Sequence, residues 1–254
     1  MIEPDRAPGS SQRALAKLTL TLRVTGVRAD GYHLLDSEMV TIDLADELEF
    51  GDGDGLEVID GPAVPTDATN LVRRALLVVG RRASVRLRKR IPTGGGLGGG
   101  SADAAAVMRW AGARDLEVAA SLGADVPFCL VGGRARVTGT GEVLEPLPFE
   151  DRSFTLLTPP LMVSTPAVYR AWDDLGGPTA DGPNDLEPAA LMVEPRLAEW
   201  REHLGQATGQ TPRLAGSGST WFVEGTYHGP GLIAARSAIP ESNTVLGQGQ
   251  EREQ

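Results

Sequence analysis

Ile91-Pro92-Thr93-Gly94-Gly95-Gly96-Leu97-Gly98-Gly99-Gly100-Ser101-Ala102-Asp103 places six glycines in the seven positions from Gly94 to Gly100. An alanine-rich run of helical composition, Ala102 to Ala111, follows at once. Glycine has no Cβ, so such a loop turns sharply and brings several backbone N–H groups to one point. The helix behind it adds N–H groups without intrahelical partners and the positive end of a dipole. Together they predict an anion site, most often one for phosphate. No Gly-Lys-Ser/Thr closes the loop, so it is not a Walker A motif. The preceding segment, Ala83 to Arg90, is short and basic, and no acidic residue follows at the spacing of a dinucleotide site. A flexible linker would mix glycine with serine and would seldom open a helix.

The 254-residue chain can form one large domain or two modest ones. It is 41% hydrophobic and 23% charged, as in an ordinary globular protein. A net charge of −10 argues against nucleic acid as a partner. It does not argue against an anionic small molecule, because local N–H groups and a few cations can dominate a cleft. The one cysteine, Cys129, lies in the apolar run from Val126 to Val131 and reads as core. It allows no intrachain disulfide, which suits a reducing cytoplasm. Met1 to Arg13 is polar, with no apolar segment of a signal peptide, and no apolar run reaches membrane-spanning length. His33, His203 and His228 lack metal-ligand spacing.

Outward from the loop, Leu18 to Val24 alternates as a strand, with Lys17, Thr19 and Thr21 on its polar face. Arg28 to Gly31 is a turn, Tyr32 to Phe50 one or two strands, and Leu56 to Ile59 a short strand. The spacing predicts a helix over Ala68–Arg82 capped by Thr66 or Asp67, then a strand through Val85 and Leu87. Asp115 to Leu122 reads as a helix; Phe128 to Val131, Ala135 to Leu144 and Phe154 to Leu157 read as strands. Pro166 to Leu175 and Glu194 to Leu204 read as helices, and Arg213 to Glu224 as strand, Gly-Ser turn, strand. A last helix and strand are expected over about Gly231 to Leu246. Strands and helices mix without a strict βαβ rhythm, so the fold class is α+β.

Five segments in order carry a resemblance. They are Ala16-Lys17-Leu18-Thr19-Leu20, Asp30-Gly31-Tyr32-His33, the glycine loop, Leu122-Gly123-Ala124-Asp125-Val126-Pro127-Phe128 and Leu214-Ala215-Gly216-Ser217-Gly218-Ser219. From about Ala16 to Leu246 the chain resembles the GHMP small-molecule kinases. The resemblance implies two lobes: a ribosomal-S5-like N-terminal domain over 14–147 and a ferredoxin-like C-terminal domain over 148–247, with the cleft between them. It implies an ATP-dependent kinase, with Mg²⁺, acting on an alcohol. Lys17 and Asp125 match the family's catalytic pair. Pro92, Thr93, Gly94, Gly95, Gly96, Leu97, Gly98, Gly99, Gly100, Ser101 and Ala102 would wrap the ATP phosphates, Ser101 also reaching Mg²⁺, and Asn70 would lie near the adenosine. The Asp-Gly-Tyr-His and Leu-Gly-Ala-Asp-Val-Pro segments narrow the resemblance to a branch that phosphorylates a cytidine diphosphate substrate of isoprenoid precursor biosynthesis. Tyr32 would stack on the cytosine and His33 bond its edge. Thr19, Thr165, Tyr169, Gly216 and Ser217 would complete the substrate side. A cytoplasmic monomer or homodimer is expected, without nucleic acid or membrane.

Two residues depart from the family pattern. Thr19 stands where the family usually has Asn, and Ala102 where a second Ser often follows Ser101. The Trp110–Asp115 connection is also short. Taken singly, Lys17 is a solvated strand residue, Asp125 a turn cap, Tyr32 half-buried on a sheet and Tyr169 core. A kinase for homoserine, mevalonate or a sugar, and a non-catalytic nucleotide-binding protein, are the alternatives.

Overall fold

Strands β1 (Ser11–Val27) and β2 (His33–Gly51) run antiparallel through the computed structural model, which describes residues 10–240. The turn between them places Gly31 at φ +86°, a left-handed geometry that favours glycine. β2 is long enough to hold two further partners along its other edge. Its first half pairs with β5 (Arg134–Gly139) and its last part with β4 (Ser84–Arg88). β3 (Gly55–Asp60) lies parallel to β4, and β6 (Val143–Leu147) forms a hairpin with β5. The order is β3-β4-β2-β5-β6, with β1 on β2.

One side of β1 gives Ala14, Ala16, Leu18 and Leu20 to the main core. Helices α1 (Leu71–Val78), α2 (Gly99–Trp110), α3 (Leu116–Leu122) and α4 (Val126–Val131) complete that core. α2 is buried from Ala102 to Trp110. Its run of Ala104, Ala105 and Ala106 lets neighbouring elements approach closely and has the best intrinsic helix propensity. Trp110 closes the helix by stacking on Phe50, ring centroids 4.4 Å apart.

The second sheet has the order β10-β7-β9-β8, made of β7 (Ser153–Leu157), β8 (Arg213–Leu214), β9 (Trp221–Glu224) and β10 (Leu232–Arg236). Numbered within this sheet the order is 4-1-3-2, that of a ferredoxin-like unit. Phe154, Leu156 and Phe222 face the first core, while Leu157, Trp221 and Val223 face α5 (Thr165–Asp174), α6 (Glu187–Val193) and α7 (Leu197–Thr208). The period of two thus puts one sheet between two apolar layers.

Several sequence expectations are corrected. Phe128–Val131 is part of helix α4, not a strand; Pro127 opens it, and a short apolar run fits either period. Ala135–Leu144 is a hairpin broken at Thr140–Gly141. α1 is shorter than expected and is capped by Asn70, whose side chain accepts the N–H of Val72 at 2.8 Å. α6 was not foreseen, and α7 begins at Leu197. No helix joins β9 to β10. The part of the last predicted helix and strand beyond Pro240, residues 241–247 of the second domain, and Met1–Gly9 lie outside the described residues.

Asp115 caps α3 by accepting the N–H groups of Glu117 and Val118 at 2.9 and 3.1 Å. Asp115→Ala should remove about 1 kcal/mol of stability. For a chain of this size a calorimetric scan should find Tm lower by about 2–4 °C, with kinase turnover unchanged.

Candidate active site

The β1–β2 ladder breaks between Leu15 and Lys17. There the N–H of Lys17 points away from β2 and donates to the carbonyl of Leu97, 3.1 Å away in the glycine loop. The loop is therefore docked on the strand that carries Lys17. Gly98, at φ +69°, stands as the N-cap of α2 without a capping side chain. A Cβ there would come within 2.8 Å of Lys17 Cγ. On its other flank the loop meets the second sheet. A Cβ on Gly96 would lie 2.5 Å from the Ala215 carbonyl and 2.7 Å from that of Gly218. The N–H of Thr220 donates to Gly95 at 3.2 Å.

Leu71, Lys89 and residues 91–101 line a cavity of about 310 Å³. The first helical hydrogen bond of α2 is Ala102 N–H to Gly98 carbonyl, at 2.8 Å. Gly99, Gly100 and Ser101 thus begin the helix with N–H groups that have no place in its ladder. The cavity opens at the positive end of a twelve-residue helix, where unpaired N–H groups favour an anion. Ala102 does not line it; that side chain is wholly buried in the core, so a hydroxyl there would not face the cavity. Asn70 caps α1, its amide donating to the Pro65 carbonyl at 2.7 Å, and the next residue, Leu71, lines the cavity.

Lys17 is 6% exposed. Its Nζ lies 3.5 Å from Asp125 Oδ2 and donates to Thr19 Oγ1 at 3.1 Å. The Thr19 hydroxyl therefore steadies the lysine. Asp125 precedes α4, but its side chain makes no cap hydrogen bond. Its backbone carbonyl takes the Cys129 N–H at 3.0 Å, and its carboxylate, beside Lys17, is one-third exposed. The simple capping role is thus not the one the side chain plays. Gly216 closes this corner: a Cβ there would be 3.7 Å from both Lys17 Nζ and Thr19 Oγ1. Ser217 and Thr165 share a 2.7 Å hydrogen bond across the second sheet's helical layer.

His33 is gripped by one face of α5. Its Nε2 lies 2.8 Å from Asp173 Oδ1, its ring 4.6 Å from Tyr169 and 5.6 Å, edge-on, from Trp172. These three α5 residues follow helical i, i+3, i+4 spacing. Burial pushes the Tyr169 phenol well up, and the Asp125 charge adds to the shift. Tyr169 thus connects the His33 corner to Asp125. Tyr32 is 63% exposed, its ring under the Arg28 guanidinium at 5.9 Å.

Sequence reasoning passed over three supports. Asn184 donates to the carbonyls of Leu214 and Gly216 at 2.9 and 2.7 Å and fixes the Gly216 turn. Arg109, buried without a carboxylate partner among the described residues, donates to the Cys129 carbonyl at 2.6 Å and that of Arg13 at 3.2 Å, tying α4 to β1. Burial lowers its pKa to about 10, so it stays cationic at neutral pH. Asp173 was the third. Each acts over a long sequence separation and leaves no local pattern. Among the described residues no group of three His, Cys, Asp or Glu could hold a metal, and no helix is long and apolar enough to cross a membrane.

The family described as GHMP kinases N terminal domain matches residues 66–133, from the segment before α1 through the loop to α4. A small-molecule kinase of that class is what the docked glycine loop and two-sheet cleft describe. The 4-diphosphocytidyl-2-C-methyl-D-erythritol kinase of Paracoccus denitrificans (strain Pd 1222) is 40% identical over 233 residues, covering 83% of this chain and 85% of that one. The kinase of the same name from Paramagnetospirillum magneticum (strain ATCC 700264 / AMB-1) is 39% identical over 249 residues, covering 84% and 87%. A crystal structure of 4-(cytidine 5'-diphospho)-2C-methyl-D-erythritol kinase superposes with a TM-score of 0.73 at 33% identity, over 90% of this chain and all of that one. The chain belongs to the 4-diphosphocytidyl-2-C-methyl-D-erythritol kinase family. It is an ATP-dependent small-molecule kinase of α+β fold.

Gly98→Ala should displace Lys17 through the 2.8 Å contact and the left-handed backbone. Steady-state kinetics should show kcat lowered at least about tenfold. Burial raises the Cys129 pKa to about 12, with the Asp125 charge adding to it. Iodoacetamide at pH 8 should therefore leave Cys129 unlabelled in the native chain and label it in denaturant, as mass spectrometry would read.

Proposed function

We propose that this chain transfers the γ-phosphate of ATP to the 2-hydroxyl of 4-diphosphocytidyl-2-C-methyl-D-erythritol, in isoprenoid precursor biosynthesis. The observation that carries the reading is the Lys17–Asp125 pair at 3.5 Å, set between the loop cavity and the His33–Tyr169 corner. Two domains, 14–147 and 148–247, form the two sides, as the six strands before residue 148 and the four after it suggest.

Phosphoryl transfer asks for position and charge neutralisation more than for covalent work by the protein. The N–H groups of Gly94–Ser101 hold the phosphates; Pro92 and Thr93 shape the entrance. Asp125 accepts the proton of the substrate hydroxyl as its oxygen attacks the γ-phosphorus. The bond to the bridging oxygen breaks, and ADP leaves. Lys17 neutralises charge on the transferring group and holds Asp125 in place. Mg²⁺ fits this site as a partner of the nucleotide rather than of a protein cage: the lining offers the Ser101 hydroxyl and no carboxylate. When bound it neutralises phosphate charge.

On the acceptor side Tyr32 presents its exposed ring to cytosine and His33, oriented by Asp173, bonds the base edge. Tyr169, Thr165, Ser217 and Gly216 enclose the rest, and Thr19 acts through Lys17. Asn70, at the start of α1, lies near the adenosine. The enzyme works in the cytoplasm on small molecules, as a monomer or homodimer, without nucleic acid or membrane; the single buried cysteine accords with a reducing compartment.

A coupled ADP-release assay should find turnover with the cytidine substrate. Turnover of homoserine, mevalonate or a sugar in its place would sink the assignment. Asp125→Asn should lower kcat by about 10²–10⁴-fold with little change in ATP affinity. Tyr32→Ala should raise the KM for the cytidine substrate about tenfold or more, the value of one base–aromatic stack, and leave the KM for ATP unchanged.

A further inference from the structure

One cluster of buried charges takes no part in that chemistry. Asp46 on β2, Lys89 just after β4 and Asp103 on α2 are all buried. Lys89 Nζ donates to Asp103 Oδ2 at 2.8 Å and to Asp46 Oδ2. Asp46 Oδ1 in turn accepts the backbone N–H groups of Arg90 and Ile91 at 2.5 and 2.8 Å. The phosphate loop begins at Ile91 and runs into α2 just before Asp103. Lys89 also lines the loop cavity, and a Cβ on Gly99 would lie 3.3 Å from its Nζ.

We propose that Asp46, Lys89 and Asp103 are positioning residues that clamp both ends of the phosphate loop and set its affinity for ATP. The proposal rests on the reading of that loop as the ATP site. Six glycines make the free loop conformationally expensive to order. Fixing its entry through Asp46 and its exit through Asp103, with Lys89 joining the two, removes part of that cost before the nucleotide arrives.

Burial opposes the charge on Lys89, but Asp103 and Asp46 outweigh it and hold its pKa above the usual range, so the lysine that joins the two ends of the loop stays cationic.

Isothermal titration of the full chain with MgATP tests this. Asp46→Asn, which lies outside the cavity lining, should raise the Kd at least about fivefold and leave the KM for the phosphoryl acceptor within twofold of wild type. Lys89→Met should raise the Kd at least about tenfold with the same unchanged acceptor KM. If one variant does not fold, the other decides. An unchanged Kd in Asp46→Asn, or a lowered Tm with unchanged Kd, would overturn the proposal. No MgATP binding by wild type would overturn the ATP reading and the proposal together.

Discussion

The hydrogen bond from Lys17 N–H to the Leu97 carbonyl is the contact around which the cleft is organised. β1 has β2 as its ladder partner on one side, so alternate N–H groups along it point outward. Lys17 follows the register shift at which the partner jumps from Ala45 to Thr41, and its N–H is one of those outward donors. The glycine loop takes that donor. A Cβ at position 98 would strike the Lys17 side chain. One outward donor thus fixes the loop against the strand, and the lysine against the loop.

Much of this was legible in the sequence. Lys17, the glycine loop and Asp125 sit in short patterns whose chemistry is local, and the structure brings all three together. The alternation of β1 is likewise local. What escaped was of two kinds. Phe128–Val131 is too short for periodicity to separate helix from strand, so α4 was misread although Pro127 marked its start. The other kind is non-local. Asp173 meets His33 across 140 residues, and Arg109 meets Arg13 across 96. Such pairings follow from topology and leave no trace in a window of neighbours.

In the proposed reaction, specificity and catalysis would divide between the two sheets. The first carries the loop, Lys17 and Asp125; the helical layer of the second carries Tyr169, Trp172 and Asp173, all turned toward His33. The two layers share a core through Phe154, Leu156 and Phe222, so the cleft is not a hinge between independent bodies joined by a linker alone. Asn184 shows the same coupling at smaller scale. It braces the Gly216 turn while its neighbour Asp185 takes Arg23 of β1 at 2.6 Å.

A net charge of −10 sits oddly with a polyanionic nucleotide until the charges are located. Long-range repulsion from the surface is screened within about 8 Å at physiological salt. Many surface acids are also already paired: Asp36 with Arg136, Glu49 with Arg86 and Arg88, Glu224 with Arg152 and Arg213. At the loop itself the lining holds Lys89 and backbone N–H groups but no carboxylate. A phosphate placed there would meet a field set by those few donors at contact distance. Global acidity and a local anion site coexist because the first acts through solvent and the second through contact.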